Sequence, residues 1–410
     1  MTAPYDAPRD DAPREDAPRD DAPPNDAPVQ RVERSLLRGT IIAAATAAAI
    51  FGAYVAHDAA ATALYESAYE RFADADELAT TAADELWLLT GRAEHAIAQS
   101  DVLEAVLVEG HVRPEDVTTL VEASDGLAAA LADADDDPLS HLLAFPAPDA
   151  LDSPAWIRYA DAVRMLEQAQ MRSAETLAIE AALDEIADAR EPVVGAVEAV
   201  FEGAGALASQ ALTDHPSATY ETRIGVQHAI DQKGPGWTHP HDSASAFTGL
   251  VLAVDELRAS HAAEEARKLE PSYPVRAEIE AFARSISHGV NLDFVWAYEV
   301  SGLTSDEWYS GTAEFWAEDG GWGRITLTHS VSNRWSEDPD AKAIVVHEVG
   351  HTQAIRPECE PLFTGPEFAG DHEMWATAWA ISMGHDVPGS GISAYGRPSD
   401  AQIATAGQCR

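Results

Sequence analysis

Small and apolar residues recur alternately three and four positions apart from Ala61 onward: Ala61, Tyr65, Ala68, Phe72, Ala75, Ala79, Ala82, Leu86, Leu89, Ala93 and Ala96. That spacing keeps these side chains on one stripe, so it predicts a long helix with a heptad seam running to about Gln99. Most seam positions are alanine, which lets a second helix lie close. A second helical stretch, from about Pro154 to Phe201, is the candidate partner folding back beside the first, and self-association in trans is equally allowed. Between the two, Asp133 to Pro138 and Pro146-Ala147-Pro148 read as loops, and Pro154 suits a first helical turn.

The pattern differs on either side of this helical region. Residues 1 to about 30 repeat units such as Asp6-Ala7-Pro8-Arg9-Asp10 and have almost nothing apolar to bury, which predicts a disordered arm. Residues Gly39 to Ala56 carry no charge over the length of the shortest bilayer-spanning helices. After about His215 the composition shifts. Seven of the ten tryptophans lie between Trp296 and Trp379, and strand-like alternation appears at Glu314 to Ala317 and Arg324 to His329, around an Asp319-Gly320-Gly321 turn. The expected organisation is an arm over 1–38, a membrane helix over 39–56, a helical stalk over 57–215 and a compact domain over 216–410. The expected class is α+β, mainly helical with a short antiparallel sheet.

Charge narrows the partners. With 26 Lys plus Arg against 70 Asp plus Glu, the formal charge is -44, so the surface repels phosphate backbones and nucleic acid is not an expected partner. Anionic headgroups are repelled too, leaving a hydrophobic membrane link. Arg31, Arg34 and Arg38 precede the uncharged run while Asp58, Glu66 and Glu70 follow it, so the positive-inside bias predicts a single-pass protein with its N-terminus cytoplasmic and the rest extracytoplasmic. In an oxidising space the two cysteines, Cys359 and Cys409, are expected to pair.

The chemistry concentrates near the C-terminus. Asp338 reads as an N-cap with Pro339 in the first turn of a helix AKAIVVHEVGHTQAI. His347 and His351 are four apart, so both imidazoles project from one face and can converge on a zinc ion, with Glu348 beside them to take a proton. A third ligand is sought in Asp371-His372-Glu373. Glu373 shares its helical face with the small residues Ala376, Thr377 and Ala380 and is the best fit; His372 and Asp371 are the alternatives, Asp371 being better suited to capping. The triplet His239-Pro240-His241 lacks a suitably spaced carboxylate or thiol partner and reads as loop.

With His347-Glu348-Val349-Gly350-His351 followed by Glu373, the chain resembles the zincin metallopeptidases, most closely their gluzincin branch, over roughly Asn291 to Gly384. The acidic residue that usually follows the gluzincin glutamate is missing here. The resemblance implies a strand edge above a cleft that binds extended peptide, bound zinc, and hydrolysis of peptide or protein substrates with Glu348 as general base. Tyr395 and His329 are the candidate oxyanion stabilisers. The alternative is a non-catalytic zincin-like ectodomain that binds partners.

Overall fold

The computed structural model describes residues 57–134, 138–140, 142, 153–232, 239–306 and 308–410. The arm and the membrane span expected over 1–38 and 39–56 lie outside the described residues. Among those described, one helix, Ala155–Asp214, holds a window long and apolar enough to cross a membrane by length and composition alone.

The described residues divide into two compact units, the first within 57–90 and 133–185 and the second within Gly91–Ala132 and Ile186–Arg410. The division passes through two long helices, α1 (His57–Glu104) and α3 (Ala155–Asp214), whose first portions form the described core of the first unit. The expected seam is buried there: Ala61, Ala68 and Ala79 are fully covered, and Tyr65 and Phe72 pack with Ala162 and Met165. An alanine methyl stabilises by only about 0.8 kcal/mol when buried, so the larger Tyr65, Phe72 and Met165 dominate this contact. Arg172, itself buried, pairs with Asp76 and lies 4.5 Å over the Phe72 ring. The partner is the expected stretch, but its direction is not. Residue numbers rise together along both helices, from Tyr65 beside Ala162 to Asp76 beside Arg172, so the helices are parallel rather than folded back. A short loop would have enforced the antiparallel arrangement; some fifty intervening residues do not.

In the second unit, α2 (Pro114–Asp133), α4 (Tyr220–Asp231) and α5 (Pro240–Arg267) surround a core of Leu103, Leu120, Val197, Val200, Val226, Phe247 and Leu257. The histidine triplet forms the start of α5, not a loop: Pro240 occupies the first turn, and His239 and Asp242 make a reciprocal capping box. Helix α6 (Tyr273–Ser285) then leads into five strands: β1 (Asn291–Ala297), β2 (Glu299–Val300), β3 (Leu303–Thr304), β4 (Gly311–Trp316) and β5 (Trp322–Thr328). The main sheet has the order β1-β5-β4, while β2 and β3 form a separate pair.

The sheet is mixed rather than purely antiparallel. Strand β4 turns back on β5 through Asp319, Gly320 and Gly321, all at positive φ, whereas β1 pairs with β5 in parallel. The intervening chain is long enough for that crossover, and the buried run Leu292-Asp293-Phe294 fits a strand covered on both faces. Asp293 accepts hydrogen bonds from the Tyr220 and Glu221 amides at 2.7 and 2.9 Å, tying the start of α4 to the sheet. Ile325 and Leu327 of β5 enter a core with Val345, Val346, Val349, Trp375 and Trp379, so the sheet supports the helix carrying the histidine pair. The coarse class is therefore α+β, mostly helical with one small sheet.

Candidate metal centre

Helix α8 (Pro339–Gln353) begins as its sequence dictates, with Pro339 in the first turn and the Asp338 carboxylate accepting from the Asp340 amide at 3.0 Å. Tyr309 donates its hydroxyl hydrogen to the same cap at 2.6 Å. Short helices α7 (His329–Arg334) and α9 (Glu360–Phe363) flank α8, and α10 (His372–Ser382) crosses it. A Cβ on Gly350 would stand 3.1 Å from the Ala376 backbone, so a glycine opposite an alanine sets how closely the two helices approach. Trp375 fastens the crossing by donating its indole N–H to the Gly350 carbonyl at 3.0 Å.

That approach brings His347, His351 and Glu373 together. The two Nε2 atoms lie 3.2 Å apart, and Glu373 Oε2 lies 3.2 Å from the first and 3.3 Å from the second. Tetrahedral zinc with bonds of about 2.0–2.1 Å separates its ligand atoms by about 3.3–3.4 Å. The three donors thus form nearly one face of such a tetrahedron, and the residues fit the metal. Asp371 caps α10, accepting from the Met374 amide at 3.0 Å, and His372 packs against Phe363 and Phe315. Neither alternative ligand belongs to the donor triangle.

Support for the first histidine comes from a region with no motif. His347 donates its Nδ1 hydrogen to the Ser390 carbonyl at 3.0 Å, which leaves the Nε2 lone pair facing the other donors. The Gly389 amide donates to Asp340 Oδ1 at 2.8 Å, so the Gly389-Ser390 turn is held at both ends by α8. Gly391 follows with φ +96°, and a Cβ there would lie 2.3 Å from Thr377 Oγ1 and 2.8 Å from His347 Cε1. Only the glycine at the turn hinted at this arrangement in the sequence; a backbone carbonyl leaves no residue signature.

Glu348 is 3% exposed, and its Oε2 is buried without a hydrogen-bond partner. Burial pushes its carboxyl upward from the usual range, while His347 and His351 pull the other way. Gly311, the first residue of β4, packs directly against its side chain. The outer edge of β4 has no strand partner among the described residues.

Burial alone would raise the Glu373 carboxyl, but hydrogen bonds and charge from the two histidines hold it well below its usual range. Burial likewise opposes charge on His351, yet contact with Glu373 and the Glu348 carboxylate outweigh it and raise the ring. Tyr395 lies in the short helix α11 (Ile392–Tyr395) and stacks parallel to His347 at 5.9 Å between ring centroids. Burial, followed by the charge and hydrogen bond of Glu373, pushes its hydroxyl up to about 12, so it remains a donor at neutral pH. His329 has a different role: its Nδ1 accepts from Arg276 at 3.1 Å. Of the two proposed oxyanion donors, the structure brings Tyr395 to the triangle.

Cys359 and Cys409 are paired, with Cα atoms 5.6 Å apart. The pair joins the segment after α8 to the end of helix α12 (Asp400–Ala406) and its continuation, while the Cys409 carbonyl accepts from Arg356 and Trp379 at 3.0 and 3.2 Å. No family model matches the chain, and neither the curated proteins nor the solved structures contain a match.

Proposed function

We propose that this is a zinc-dependent peptidase of the zincin type, resembling the gluzincins. The observation that carries the reading is the donor triangle beside a buried carboxylate whose Oε2 has no partner. His347, His351 and Glu373 would hold the metal, leaving one side open. Bound zinc supplies a Lewis acid for the scissile carbonyl and brings the pKa of its water toward neutrality.

Glu348 receives the water's proton at its unpartnered oxygen and delivers it to the departing amine, so the carboxylate is regenerated after each cycle. The raised carboxyl makes Glu348 a stronger base toward water, and the departing amine, more basic still, takes the proton from it. The Tyr395 hydroxyl donates to the developing oxyanion. The free edge of β4 offers its backbone groups to an extended substrate. The charge pattern and the paired cysteines support a membrane-anchored, extracytoplasmic setting with the N-terminus in the cytoplasm.

The test uses the purified full-length chain loaded with zinc and an unfolded protein as substrate. Glu348→Gln is expected to keep one zinc per chain and lose hydrolysis by 10²-fold or more, on the order expected for a general base. Loss of the metal in that variant would reverse its role assignment. One equivalent of zinc in a wild-type chain that cleaves no unfolded protein would replace the peptidase with a non-catalytic zincin-like binding domain.

A further inference from the structure

The more covered face of β4, turned toward Glu348 and His372, alternates along the strand as Gly311, Ala313 and Phe315. The first abuts Glu348, the second packs on the core beneath, and the third is the first large side chain on that face. Phe315 meets the His372 ring at 5.4 Å between centroids, and His372 lies 4.4 Å from the Phe363 ring. His372 immediately precedes Glu373 and is 6.5 Å from the His351 ring. These three rings therefore stand together beside the donor triangle. Their base is rigid, because Phe363 is buried and Trp375 braces it edge-on at 5.8 Å. Their rim is open, because His372 is exposed and Phe315 is half-buried.

Apolar ring surface left uncovered beside a polar, proton-handling centre points to an occupant that covers it. From Gly311 to Phe315 is about 14 Å along an extended strand. A peptide lying along β4 with its reacting carbonyl at the triangle, between those two ends, reaches the rings with its first or second neighbouring side chain. Antiparallel addition, the slightly more stable pairing, places residues on the amino side of the cleaved bond at the Phe315 end. Resting on the peptidase reading, we infer that Phe315, His372 and Phe363 form a specificity subsite for a large apolar or aromatic side chain, one or two residues to the amino side of the scissile bond. Gly311 abuts Glu348 and Ala313 packs on the core, so Phe315 is the one large side chain on this face of the strand and selection falls on this one position.

The experiment digests a mixed-sequence peptide library with the zinc-loaded full-length chain and reads the product ends by mass spectrometry. Aromatic and large aliphatic residues are expected to be enriched on the order of tenfold at one of those two positions, the discrimination a hydrophobic pocket supplies. Phe315→Ala should abolish the enrichment. Phe315→Leu should retain most of it. His372→Ala, which opens the same wall from α10, provides a second variant if the strand substitution impairs folding. A wild-type profile that is flat, or selective only on the carboxyl side, overturns the subsite and leaves the peptidase standing, as does a variant profile superimposable on the wild type. A wild-type chain that holds zinc but cleaves nothing in the library removes both.

Discussion

Gly311→Ala adds a single methyl and tests the geometry of the general base directly. The new Cβ would stand 2.6 Å from Glu348 Cγ, 2.7 Å from Oε1 and 2.8 Å from Cδ, whereas ordinary contact begins at 3.4 Å. Separation at Cγ must therefore grow by 0.8 Å to reach ordinary contact, since 3.4 minus 2.6 is 0.8. Gly311 is not among the residues at positive φ, so its backbone accepts alanine without conformational strain. Either β4 lifts away from α8 or the Glu348 carboxylate shifts. The strand is held by its full ladder to β5 and Glu348 is buried, so both absorb part of the displacement. Overpacking of this kind costs about 1–3 kcal/mol in stability. The larger effect is on rate: misplacement of about 1 Å can cost 10²-fold, and complete loss of a general base 10²–10⁴-fold. His347, His351 and Glu373 are not among the three nearest atoms met by the new Cβ, so one equivalent of zinc should remain. The assay compares zinc content, urea midpoint and kcat/KM on an unfolded protein. A Gly311→Ala chain with wild-type kcat/KM would refute the placement of Glu348 against β4, and one that loses zinc and activity together would show that the strand supports the metal rather than the base.

Zinc affinity of the metal-free chain should rise with pH up to the raised His351 value and level off above it, because zinc and the proton compete for Nε2 below that point; chelator competition between pH 5 and 9 checks this, and a flat profile refutes it. The same contact contributes stability to the metal-free chain that is fully present below the ring's unfolded pKa and lost as pH rises through its folded value. Cys409→Ser should keep its zinc while losing about 4 kcal/mol in the chain-entropy model, given a sequence separation of 50 between the paired cysteines; a thermal midpoint equal to wild type under non-reducing conditions would contradict that contribution. Protease added to intact cells without an outer barrier should remove the C-terminal domain and spare an N-terminal tag, whereas a protected C-terminal domain would refute the proposed topology.

What the sequence determined by itself is local. The seam from Ala61 to Ala96 repeats with helical periodicity, and all of its positions except Leu89 are buried as the pattern required. His347 and His351 share a face because they are four apart on a helix. Asp338 and Asp371 cap where their short side chains reach the next free amides. The small face around Glu373 let α10 approach Gly350, which made the glutamate legible as the third donor. Tertiary structure decided everything that depends on residues far apart in the chain. The parallel course of α1 and α3, the pairing of β1 with β5, the Ser390 carbonyl behind His347 and the stacking of Tyr395 on His347 each join segments separated by tens of residues. Periodicity reports which face a residue occupies within its own element. Which partner covers that face is set by long-range packing, and a backbone carbonyl or an edge strand presents the same groups whatever side chains it carries.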